Sequence, residues 1–264
     1  MDINRRNKEG VSAFMLAYLP VPQAEQWQID EGVVDLDAHA AKKKGRCDLQ
    51  KWILTVPGVD VSAKLLDTGR SVFHGACQRG QMEAVESLLV LIADVNEPDT
   101  HGKTGLRLAA SHGHTAVVAM LLSAGADPNI ADATGRTCLM EACMNGKPGV
   151  VSFCLWQPTV DANATDEDGN TAFIHMCIAG DYDVLEIMGS KPKIDINLRN
   201  KVPIVPTIID VTVVSKAGAT GFTVACLANN SMFAAQLMLL PAMDLTTVDA
   251  SVNFLDFLSS LSRA

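Results

Sequence analysis

Seven cysteines, six histidines and the run Asp166-Glu167-Asp168 are the residues of this chain whose types could do chemistry. Thiolates and imidazoles hold zinc when about four of them converge, commonly through paired ligands at short spacing. No Cys-x-x-Cys occurs, and His112 and His114 alternate across a turn with no further ligand nearby in sequence. Asp166-Glu167-Asp168-Gly169 lacks the alternating ligands and the distant Glu of a calcium loop. Phosphate-cradling loops, a nucleophile elbow and a His-Glu-x-x-His zinc helix are all absent from the sequence. The expectation is a chain with no catalytic, cofactor-binding or metal-ligating residues, whose cysteines and histidines have structural places.

Composition narrows the partners. Lys and Arg number 21 against 30 Asp and Glu, a net charge of -9, which disfavours a general nucleic-acid binder, since such proteins need a cationic face to displace counterions. The basic runs Lys42-Lys43-Lys44-Gly45-Arg46 and Arg5, Arg6, Lys8 are short enough to be solvated helix ends. The 48% of apolar residues allows a sizeable core, and 19% charged residues argue against wholesale disorder. No long apolar stretch opens or crosses the chain, and neither a myristoylation nor a prenylation pattern is present. A chain without membrane insertion is expected, in the cytoplasm or also the nucleus. Without a secretory signal, Asn163-Ala164-Thr165 and Asn229-Asn230-Ser231 are chance matches to the glycosylation pattern.

The elements that would position these residues show in the spacing of glycines. Gly69, Gly102, Gly135, Gly169 and Gly218 each stand two residues before a Ser or Thr, at intervals of 33, 33, 34 and 49. A second glycine follows eleven residues later in four units, at Gly80, Gly113, Gly146 and Gly180. Asp-x-Asn then closes each unit, at Asp94-Val95-Asn96, Asp127-Pro128-Asn129, Asp161-Ala162-Asn163 and Asp195-Ile196-Asn197. Between the marks Leu106, Ala109 and Ala110 form one helical stripe, and Val117, Val118, Leu121 and Leu122 form another. Gly113 and Gly125 end those helices, and Asp127-Pro128-Asn129 is a turn cluster. Ser71, Thr104, Thr137, Thr171 and Thr220 are placed to cap the first helix of each unit.

Residues 99–131 (Asp-Thr-His-Gly-Lys-Thr-Gly-Leu-Arg-Leu-Ala-Ala-Ser-His-Gly-His through to Asp127-Pro128-Asn129-Ile130-Ala131) resemble an ankyrin repeat nearly throughout. Ser71-Val72-Phe73-His74-Gly75-Ala76 stands where the family prefers Thr-Pro-Leu-His-x-Ala, and no unit has Pro at the second place. The resemblance implies an all-α solenoid of stacked helix-turn-helix units joined by β-hairpin-like turns, six to seven of them with degenerate ends. The organisation expected is an N-terminal capping helix region at 1–30 and a degenerate repeat at 31–65. Repeats follow at 66–98, 99–131, 132–165 and 166–200, then an insertion at 201–215, a degenerate repeat at 216–248 and a C-terminal capping helix at 249–264. In that register Cys77, Cys143, Cys177 and Cys226 share one small position on the first helix, filled in one unit by Ala110. Equivalent sites lie about 8–10 Å apart on stacked helices, too far for a disulfide. His74 takes the family's usual histidine place, which hydrogen-bonds neighbouring turns. His39 matches it in the degenerate unit, and His114 follows the mid-unit glycine as the family prefers. His101, His112 and His175 fall outside these places.

The family's partner-facing surface is its concave side, made by the turn tips and the exposed face of each first helix. Carried over position by position, the resemblance assigns to it Asp67, Thr68, Arg70, Gln78 and Arg79 in the first full repeat. Thr100, His101, Lys103, Ser111 and His112 follow in the second. The third gives Ala133, Thr134, Arg136, Met144 and Asn145, and the fourth Glu167, Asp168, Asn170, Ile178 and Ala179. Of these, Arg70, Gln78, Arg79, Thr100, His101, Lys103, Ser111, His112, Arg136, Met144, Asn145, Glu167, Asp168 and Asn170 are the candidate contacts. Cations early and carboxylates late predict a partner of split electrostatic character.

The implied function is that of a non-catalytic interaction module (adaptor, scaffold or inhibitor) holding a protein partner, as a monomer or in a hetero-complex. The alternative is a substrate-receptor or regulatory subunit of a larger enzyme assembly. The insertion, Lys201 to Ser215, is β-branched and apolar, with Pro203 and Pro206 opposing a helix. It predicts an extended finger that is either covered by its own fold or used by another chain.

Overall fold

Each repeat is built from two short helices whose apolar spacing fits a single buried stripe. A helix of this length is marginal alone, so its stability has to come from packing. In the computed structural model the described residues are 60–201, together with 220, 225 and 231–240. They contain four helix pairs: α1 (Val72–Arg79) with α2 (Met82–Leu89), and α3 (Gly105–His112) with α4 (Thr115–Ser123). Then come α5 (Cys138–Met144) with α6 (Pro148–Trp156), and α7 (Ala172–Ala179) with α8 (Tyr182–Gly189). A further helix, α9, spans Ser231–Met238 and buries Ala234 and Leu237. Among the described residues the one β-type pairing is an isolated antiparallel bridge between Lys64 and Ser71. The regions expected at 1–30 and 249–264, most of 31–65, and the insertion beyond Lys201 lie outside the described residues.

The described residues fall into two bodies, one ending at Asp127 and one beginning at Pro128. In the first, α1 lays Phe73, Ala76 and Cys77 against α3, which answers with Leu106, Ala109 and Ala110. The second helices follow one rule: Ala84, Val85 and Leu88 on α2, Val117, Val118 and Leu121 on α4. In the second body α5 and α7 pack through Leu139, Met140, Cys143, Phe173, Ile174 and Cys177. There Val150, Val151 and Cys154 on α6 face Val184, Leu185 and Met188 on α8.

Helix starts follow the expected caps unevenly. Thr104 and Thr171 accept from the backbone N–H three residues on. Thr137 makes no side-chain cap bond. Ser71 forms a capping box with His74: its side chain faces the His74 N–H, and His74 Nδ1 accepts the Ser71 N–H at 3.3 Å and lies 2.9 Å from its hydroxyl.

The turns between repeats are held by two side-chain devices. The carboxylate of Asp99 accepts the N–H groups of His101 and Lys103, both at 2.9 Å. Asp132 does the same for Thr134 and Arg136, and Asp166 for Asn170. The first repeat has Leu66 where the others have this Asp, and Asp67 binds its neighbour Thr68 instead. The Asp-x-Asn closing each repeat supplies the second device. Asn96 accepts the N–H of Asp127, Asn129 that of Asp161, and Asn163 that of Asp195, at 2.8–2.9 Å. The amide groups of Asn129 and Asn163 donate onward to the carbonyls of Thr159 and Lys193.

Tip backbones also meet: Thr100 N–H donates to Thr68, Glu167 to Thr134 and Lys201 to Asp168. Gly135 sits at such a meeting with φ +79°, where a Cβ would come within 2.8 Å of the Glu167 nitrogen. Gly125, at φ +90°, has open space around it. Gly125→Ala is expected to cost about 1–2 kcal/mol for the left-handed backbone alone, and Gly135→Ala about 3 kcal/mol because neighbouring backbone must also move. Urea unfolding followed by circular dichroism measures both; equal losses would mean that the tip contact adds nothing.

Candidate functional site

The first helices bury their core-facing side and leave His112, Ile178 and Ala179, in the last turns of α3 and α7, in solvent. In the residues up to Asp127, four of the candidate contacts join in one chain of hydrogen bonds. Asp99, buried, holds the Arg70 guanidinium through Nε at 2.9 Å. Arg70 donates to the Gln78 carbonyl oxygen at 3.3 Å, and the Gln78 amide reaches His112 Nε2 at 3.5 Å. His112 Nδ1 lies 3.0 Å from the Leu108 carbonyl and 2.9 Å from the Ser111 hydroxyl. A carbonyl only accepts, so Nδ1 carries the proton and Nε2 is left to accept from Gln78. Burial raises the Asp99 carboxyl, but the bonds from Arg70 and from the N–H groups of Lys103 and His101 outweigh it and hold it below the usual carboxylate value. Arg70 is therefore part of the scaffold as well as of the surface. Thr100, His101 and His112 are exposed, while Gln78, Arg79, Lys103 and Ser111 are half-buried.

The histidines at family places are stitches. His74 Nε2 donates to the Glu97 carbonyl at 3.0 Å while Nδ1 faces Ser71. Burial pushes its pKa below the ordinary 6.5. His114 reaches back 3.0 Å to the Gln78 carbonyl at the end of α1, and its ring stacks on that of His112. A Cβ at Gly80 would collide with the His114 ring, so the cap glycine and this histidine require each other.

Between Pro128 and Lys201, Asn145, Glu167 and Asp168 are exposed, and Arg136 and Met144 are half-buried. Ile178 is 54% exposed, an apolar side chain left in solvent at the end of α7. Asn170 departs from the expected surface. It is buried, its amide bonds the Asp166 carboxylate, and its oxygen accepts from Asn200. The same carboxylate takes His175 Nε2 at 2.8 Å, both groups being buried. Asn170 and His175 thus neutralise the needs of a buried Asp and have nothing to offer a partner.

Cys77, Cys143 and Cys177 are buried free thiols, with burial pushing each pKa up. Cys226 lies outside the described residues, as does His39. Cys138 and Cys154 are buried as well, Cys154 at the place on the second helix that Leu88, Leu121 and Met188 hold in the other repeats. The Cys138 thiol donates to the Pro128 carbonyl at 3.2 Å. Among the described residues no three His, Cys, Asp or Glu side chains converge as metal ligands, and no helix is long and apolar enough to cross a membrane.

One exposed residue had no forewarning in the surface positions. Trp156, the last residue of α6, is 72% exposed, with the Lys191 ammonium 3.9 Å from its ring centroid. The signal was available in sequence, as an aromatic at the place where Ser123 and Ser190 stand in flanking repeats.

The family model for ankyrin repeats in three copies matches residues 38–132 and 124–200. The chain belongs to the ankyrin repeat family, whose stacked helix-turn-helix units make a solenoid. Such repeats are in general protein–protein interaction modules and are typically non-catalytic. No curated protein matches the chain.

Replacing His175 with Phe removes a main donor to a buried carboxylate. His175→Phe is expected to cost about 2 kcal/mol, within the range for stripping a hydrogen-bond partner from a buried polar group; a loss under about 0.5 kcal/mol in urea unfolding contradicts this. For His74 the folded-state pKa lies below the unfolded value, so the unfolded chain takes up the proton first. Its stabilising contribution is complete above about pH 6.5 and is lost as pH falls through the folded-state value. His74→Gln should therefore flatten the decline of the urea midpoint between neutral and mildly acidic pH. An unchanged slope would show that His74 does not carry it.

Proposed function

We propose that the chain holds a protein partner on the face made by its turn tips and the ends of its first helices, and catalyses no reaction on it. The observation that carries this reading is the division within each first helix. Residues such as Ala76, Ala109, Ala142 and Met176 are fully buried, whereas the last turn and the preceding tip leave Thr100, His101, His112, Asn145, Glu167, Asp168 and Ile178 in solvent. Side chains in these places lie outside the buried stripe, which is what a repeat module needs for partner choice.

The chemistry of the face differs between the two bodies. Up to Asp127 it offers Arg70, Arg79 and Lys103 with two exposed histidines. From Pro128 it offers Arg136, then the carboxylates Glu167 and Asp168 beside Met144 and Ile178. A partner with an acidic portion and an apolar or basic portion suits it by electrostatic complementarity. An adaptor, scaffold or inhibitor of the cytoplasm is the role proposed.

The test is capture of partners from native lysate with the full chain as bait. Arg79→Glu/Lys103→Glu/Arg136→Glu is expected to lose the principal partner while keeping its helical circular dichroism. Retention of every partner would show that the face is misassigned. A deletion of 202–215 in parallel asks whether the insertion contributes, and its separate loss of a partner would add that segment to the contact.

A further inference from the structure

Twenty-one residues after each tip glycine, at the outer end of the second helix, the four repeats carry Val90, Ser123, Trp156 and Ser190. All four are exposed. Ser123 and Ser190 return their hydroxyls to the Ala119 and Ile187 carbonyls, so a serine satisfies everything the fold asks there. The core contact at this end of α6 is made by Leu155, which is buried beside Trp156. A 72% exposed indole at such a place is a large apolar surface left in solvent.

Its surroundings are organised. Lys191 lies over one face of the ring at 3.9 Å, and Lys193 donates to the carbonyls of Gln157 and Val160, tying the turn at 190–194 to the end of α6. The stretches 156–160 and 190–194 that meet there contribute two lysines and no carboxylate, in a chain whose acids outnumber its bases 30 to 21. An aromatic knob with a cation clamped to it on an otherwise acidic chain is a recognition pattern. We propose that Trp156 and Lys191 form a second docking point, on the second-helix side of the repeats, for an acidic segment of another protein. The indole enters an apolar pocket or stacks on an aromatic side chain of that segment, and a neighbouring carboxylate pairs with Lys191. A lipid surface is disfavoured because stable membrane attachment takes more than one anchor. A second copy is disfavoured by mutual repulsion of chains at net charge -9.

The experiment selects displayed random dodecapeptides on the full chain, with the Trp156→Ser chain as counter-selection. Trp156→Ser installs what two flanking repeats already have and is expected to unfold at the wild-type temperature. Recovered peptides should pair Asp or Glu with an aromatic or large apolar residue. Their affinity should fall about tenfold or more on Trp156→Ser and on Lys191→Glu, and stay unchanged on Arg79→Glu/Lys103→Glu/Arg136→Glu. That last arm separates this site from the turn-tip face, whose own test is independent of it. The proposal is overturned if no peptide survives counter-selection, if the peptides are basic, or if they follow the turn-tip variant. It is equally overturned if the Trp156-dependent behaviour is binding to phosphatidylcholine–phosphatidylglycerol vesicles, or a dimer seen in sedimentation.

Discussion

A carboxylate oxygen gathers the backbone N–H groups of its own turn in three successive repeats, at Asp99, Asp132 and Asp166. A turn that projects from a helical stack exposes donors that no helix can satisfy, and an unmet donor beside a buried surface is costly. The acid solves this within four residues of chain, and the tips are then joined to one another by backbone bonds such as Thr100 N–H to Thr68 and Glu167 N–H to Thr134. Its second oxygen then needs a partner of its own, found in Arg70 for Asp99 and in His175 for Asp166. Substituting such an acid would loosen the turn and strand its cationic or imidazole partner together.

The asparagine at the end of each repeat does comparable work on the other connection. By accepting the N–H of the next Asp and donating to a carbonyl, Asn129 and Asn163 set the spacing of successive turns with two bonds each. The interval of 33 or 34 residues is thus maintained by local bonds between neighbours, as expected for an architecture whose stability is a sum of nearest-neighbour terms.

Much of this was legible in the sequence because the marks that punctuate the repeat are the residues that do the holding. Among the described residues the tip and mid-repeat glycines, the Asp-x-Asn closings, His74 and His114, and Cys77, Cys143 and Cys177 take the places that their spacing implied. What failed to show was conformational detail that depends on a specific neighbour. Asn170 occupies a surface position in the pattern but is drawn inward by Asp166 and Asn200. Arg70 was assigned to a partner before its bond to Asp99, on the following repeat, was visible. Ser71 caps its helix together with His74, whose ring it also faces, a pairing that the expected cap does not include. Leu66, in place of the opening Asp, and Trp156, in place of a serine, are departures from register legible in the sequence itself.

The chain of bonds from Asp99 through Arg70 and Gln78 to His112 has a consequence for how tightly a surface of this kind can grip. Long polar side chains normally lose about 0.5–1.5 kcal/mol of rotational freedom apiece when a contact immobilises them. Here Arg70 and Gln78 are restrained before anything arrives, each by bonds at both ends. The ordering cost falls on folding, where the buried core absorbs it, and association meets a surface whose shape is already set.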